Sequence, residues 1–127
     1  MERASVWHPW VGENKLLERM MAVQEFRRIY RAHLEDFLDR LLVPERLNRR
    51  IDELAELLRE PIAAESSFRL SKFEQSVGKK PIEPGPEIGI NYRAHDLKGF
   101  IQRRAKFVRL QLDGKSAGMI LKPPAQR

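Results

Sequence analysis

The 127-residue sequence contains no cysteine, which excludes disulfides and thiolate metal sites without fixing a compartment. No apolar run approaches the ~18–20 residues needed to cross a bilayer. The opening stretch, MERASVWHPWVGENK, lacks an apolar h-region and does not read as a secretory signal. The cytoplasm is the default expectation, and no membrane partner is expected. Motifs that hold phosphates or nucleophiles are missing as well. There is no GxxxxGK[ST] loop, no GxGxxG after a strand and no GxSxG elbow. Only three histidines occur, His8, His33 and His95, too far apart in sequence to suggest a metal cluster. His33 adjoins Leu34 on a helical stripe and reads as a boundary residue. The nearest phosphate-loop look-alike, Asp113-Gly114-Lys115-Ser116, follows a helix instead of opening one, so its amides would not face an anion. It reads as a helix stop.

What the chain does have is helical periodicity, with 42% hydrophobic and 33% charged residues. Phe26, Tyr30, Leu34, Phe37 and Leu41 recur at steps of three and four, as do Leu47, Ile51, Leu54 and Leu58. Pro44 suits a first helical turn and disfavours helix at Val43. The spacing predicts an all-α fold, a helical bundle of four or five helices around an antiparallel helix pair (24–42, 44–60). Its facing apolar stripes alone bury too little to stand without further helices.

The remaining segments supply them. An irregular lead-in, 1–12, carries Trp7 and Trp10, which should clamp an apolar surface. A short helix follows over 14–22, with a bend at Val23-Gln24 where the apolar phase resets. Pro61 should end or kink the second long helix. Ser66-Ser67 offers an N-cap for a helix over 68–77, stopped at Gly78, with Leu70, Phe73 and Val77 inward. A Pro/Gly-rich linker spans 78–91. Asp96 caps a basic final helix, 96–113, whose stripe is Leu97, Ile101, Ala105, Val108 and Leu112. The apolar piece 119–121 could dock, and a flexible tail covers 122–127. The whole reads as a single helical domain or fragment.

Charge is unevenly placed. The net +6 lies in residues 91–127, which hold nine Lys/Arg against two Asp, whereas the rest holds fifteen against sixteen. Lys98, Arg103, Arg104, Lys106 and Arg109 are therefore the candidate partner-binding residues. An acidic surface, of the same polypeptide or of a partner protein such as a kinase lobe, is the favoured partner. Nucleic acid is the weaker choice, because Phe100 and Phe107 fall near the aliphatic stripe and resemble core more than base-stacking platforms. Acidic residues such as Asp36, Asp52 and Glu56 have Arg three or four positions away and read as solvated helix pairs.

The order of these patterns resembles a known family. HPWVGENKLLERMMAVQEFRRIYRAHLEDFL, PERLNRRIDELAELLREPI, SSFRLSKFEQSVG and FIQRRAKFVRLQLDGKSAG resemble the C-terminal helical part of spore coat protein H (CotH)-like proteins, which are atypical protein kinases. The resemblance covers nearly all of residues 7–121. It rests on Asn14-x-Leu16 running into Phe26 and Tyr30, on Arg50-Ile51-Asp52, and on the ending from Arg104 to Gly118. It implies a family that uses ATP and a divalent metal. The family's ATP-contacting lysine and its catalytic and metal-binding aspartates belong upstream of the first helix here, and Met1 stands only a few residues before that helix. No catalytic, cofactor-binding or metal residue is therefore expected in this chain. The resemblance implies a non-catalytic helical segment that supports or complements a kinase lobe absent from this chain. The alternative is a free-standing basic helical module binding nucleic acid or an acidic protein; a self-associating structural protein is a third reading.

Overall fold

Helix starts and stops fall where short-range chemistry puts them. The computed structural model describes residues 1–82 and 94–123. Among these it has five helices: α1 (Lys15–Ala22), α2 (Gln24–Arg40), α3 (Pro44–Glu65), α4 (Ser67–Ser76) and α5 (Leu97–Leu112). The fold is all-α. Asn14 caps α1, its Oδ1 accepting the Leu17 amide at 3.1 Å. Val23, extended at φ −79° and ψ 117°, is the single residue that breaks α1 from α2. Ser66 caps α4, and Asp96 caps α5 by accepting the Gly99 amide at 2.8 Å. Gly78 and Gly114 take left-handed φ values of 80° and 72° just past α4 and α5, as a stop requires.

Pro61 does not end the helix: α3 continues through it to Glu65. The ring removes one helical hydrogen bond, the one that would reach the carbonyl of Leu57. Leu57 is exposed, so that carbonyl lies on the solvent side, and Ile62 beyond it is partly buried. The helix tolerates the loss.

The chain divides into two compact units, Met1–Val43 with Arg103–Arg127, and Pro44–Gln102. The helices expected at 24–42 and 44–60 are both present, but they fall in different units and find their partners there. In the first unit α2 lies against α1, and Leu38 joins Val6, Val108 and Leu112 in a buried cluster. Trp7, Leu34, Leu42 and Ala105 pack around that cluster. In the second unit α3 packs on α4. Ala55, Val77, Ala94 and Ile101 are buried there, together with Glu74 and Gln75.

The lead-in is less irregular than its composition suggests. Ala4 and Met119 form a parallel bridge, with Ser5 N donating to Met119 O at 2.9 Å and Met119 N to Arg3 O at 2.7 Å. The piece at 119–121 thus docks through its backbone, while the side chains of Met119 and Ile120 stay exposed. Trp10 is buried and its ring lies 4.0 Å from that of His8. Trp7 meets Tyr30 edge-on, with centroids 6.3 Å apart. Residues 83–91 of the expected linker and 124–127 of the expected tail lie outside the described residues.

Candidate functional site

The five basic residues singled out on the last helix are placed very differently from one another. Lys98, in the second unit, is clasped by Asp52, with Nζ 2.7 and 2.8 Å from the two carboxylate oxygens. That hydrogen bond holds the Asp52 carboxyl below its ordinary pKa, with the charges of Lys98 and Lys79 adding to the effect against desolvation. The other four belong to the first unit. Arg103 Nε reaches Glu2 Oε2 at 2.5 Å. Arg104 turns inward, donating from Nη1 to the carbonyls of Ala4 (2.6 Å) and Glu2 (3.2 Å). Burial lowers the Arg104 pKa and raises that of the neighbouring Tyr30 hydroxyl, and the attraction between the two opposes each shift. Arg109 pairs with Asp39. Lys106 is exposed and, among the described residues, makes no ion pair or hydrogen bond. The positive charge of α5 is thus largely spent inside the chain, much of it fastening the lead-in.

A second basic surface escaped the sequence reading. An open cleft of about 510 Å³ in the first unit is lined by Trp7, Arg27, Arg28 and Arg31, with Gln111 and Gly114 across from them. Positions 24, 27, 28 and 31 share one helical face, which brings the three guanidinium groups to the same side of α2. Arg27 lies over the Trp7 ring, 4.8 Å from its centroid. Arg28 pairs with Glu25 and Arg31 with Glu35 along the helix. The signal was the cluster of arginines in QEFRRIYR; what could not be read was that Trp7 closes over it.

Apolar side chains form the third surface. In the first unit Phe26, Phe37 and Leu41, expected to be core, are about half exposed, because Leu34 and Leu38 of α2, with Leu42 just beyond its end, pack inward instead. In the second unit Leu54, Leu57 and Leu58 are exposed on consecutive turns of α3, with Leu57 at 71%. Ala55, one position along, is the buried member.

The sequence matches the CotH kinase protein family over residues 2–108. The chain belongs to that family. No characterised protein and no solved structure matches it. Among the described residues of this CotH-family chain, no three His, Asp or Glu side chains gather in a way that could hold a metal ion. No phosphoryl-transfer step is assigned to the described residues. No helix among the described residues is long and apolar enough to cross a membrane.

Proposed function

We propose that this chain is a non-catalytic helical segment of a CotH-type kinase, and that it supports or complements a kinase lobe by docking against it. The exposed apolar run Leu54, Leu57 and Leu58 on α3 carries the reading. Successive exposed leucines on one helix are a costly surface to leave in water, at roughly 1.5–3 kcal/mol per side chain once buried. Membership of the kinase family supplies a natural occupant. Phosphoryl transfer needs phosphate-positioning and metal-binding groups, and we assign none of these to this chain.

The test mixes the full chain with a separately produced CotH-type kinase lobe and follows co-elution and Mg²⁺-ATP-dependent labelling of an acceptor protein. The expected result is no labelling by the chain alone, and a complex with the lobe that Leu57→Glu disrupts while helicity is retained. Labelling by the chain alone, or failure to form any complex, overturns the proposal. The rival basic module has less support, since Lys98, Arg103, Arg104 and Arg109 already face groups of their own chain.

A further inference from the structure

The arginine cleft beside Trp7 plays no part in docking through α3. We propose that it is a binding site for a phosphate monoester. Arg27, Arg28 and Arg31 all line it, and no carboxylate is among the lining residues, although the guanidinium groups of Arg28 and Arg31 pair along the helix with Glu25 and Glu35. Arg27 is the key group. Its guanidinium carbon lies over the Trp7 ring, a contact that takes up none of its N–H donors in hydrogen bonds. Among the described residues it has no carboxylate partner. The pairs made by Arg28 and Arg31 are solvent-exposed i,i+3 and i,i+4 contacts, a kind that holds weakly and exchanges readily for a stronger anion.

The opposite wall does not repel an anion as a bare helix end would. The carbonyls of Arg109, Leu110 and Gln111 already accept the amides of Asp113, Lys115 and Gly114. Gln111 O also takes the Trp7 indole N–H at 3.3 Å, which fixes the ring as a flat wall. A phosphate monoester brings nearly two negative charges and three acceptor oxygens, enough for several guanidinium groups at once. A lone carboxylate would satisfy one. The Trp7 face and the size of the cleft leave room for a carrier, either a phosphorylated side chain or a mononucleotide.

The proposal stands apart from the docking role, because the cleft lies wholly in the first unit and needs no kinase lobe. Its test is calorimetric titration of the full chain with a phosphoserine peptide, the same peptide unphosphorylated, and AMP, each at low and at physiological salt. The phosphorylated peptide or AMP should bind at least roughly tenfold tighter than the unphosphorylated peptide, and added salt should weaken the binding. Arg27→Gln should cost roughly tenfold, and Arg27→Lys should recover only part of that, because an ammonium lacks the planar fork. Circular dichroism of both variants separates lost binding from lost fold. Tighter binding of the peptide assigns the carrier as polypeptide, and tighter binding of AMP assigns it as nucleotide; both support a phosphate site. Equal affinity for phosphorylated and unphosphorylated peptide without AMP binding, or unchanged affinity in a folded Arg27→Gln, overturns it.

Discussion

The side-chain carbonyl of Gln111 accepts the backbone N–H of Val6 at 2.8 Å, across 105 positions of sequence. Its amide nitrogen donates to Ala4 O at 3.3 Å, and the residue is only 2% exposed. One polar side chain thus satisfies the buried Val6 amide and adds a second donor to the Ala4 carbonyl, which Arg104 already reaches.

Gln111→Leu should destabilise the first unit by about 1–3 kcal/mol, the cost of stranding a buried amide. Urea unfolding followed by far-ultraviolet circular dichroism measures this. Leucine has similar bulk, so a loss well below that range would mean the Val6 amide finds another acceptor.

Gly118 and Gly114 make a matched pair, since both have φ near 72°. A Cβ on Gly118 would lie 2.6 Å from Ser5 Cα and collide with the Gln111 side chain, whereas one on Gly114 meets nothing within 4 Å. Gly114→Ala should cost about 1 kcal/mol of backbone strain. Gly118→Ala should cost clearly more, because the clash is with backbone that cannot swing aside. Equal unfolding midpoints for the two variants would remove the close approach.

Acid should loosen the second unit. Glu74 is nearly enclosed, with Arg59 at 2.5 Å and Lys80 at 2.6 Å. The hydrogen bond from Lys80 is the largest influence lowering its pKa; burial opposes it, and the charges of Lys80 and Arg59 reinforce it. A carboxyl depressed in the folded state contributes stability above its unfolded pKa, and that contribution is lost as pH falls through the folded value. Asp52, depressed by Lys98, acts in the same direction. Unfolding midpoints should therefore hold steady from neutrality to about pH 5 and drop below about pH 4. Glu74→Gln should lower the neutral midpoint and flatten the acid slope; an unchanged slope would exonerate Glu74.

Duplex DNA and RNA should show little affinity for α5. A helix whose arginines are tied to Glu2, Ala4 and Asp39 has few charges left to displace counterions. Titrations at two salt concentrations check this, and a steep salt slope abolished by Lys106→Ala would contradict it.

Much of the helical layout was legible because it is local. Asn14, Val23, Ser66, Gly78, Asp96 and Gly114 mark boundaries through hydrogen bonds or dihedrals set within a few residues. What periodicity could not give is which side of a broad apolar stripe turns inward. Phe37 and Leu41 belong to the same pattern as Leu34 yet remain exposed, because Val6, Val108 and Leu112 meet α2 from the side that Leu38 occupies. At Pro61 the helix does not end, because the loss of one hydrogen bond was outweighed by the helix around it. The five α5 cations were visible as charges. Their spending on Glu2, Ala4, Asp39 and Asp52 depends on contacts between distant residues, and so does the closing of Trp7 over Arg27.

The bridge between Ala4 and Met119 is parallel, and this has a mechanical consequence. A pull applied to the first residue and the last draws the two short segments past each other along their length. Its pair of main-chain bonds is then loaded in shear, and both must give way together instead of peeling one by one. Tension through the polypeptide would meet its earliest resistance at this clasp, before reaching the coils behind it.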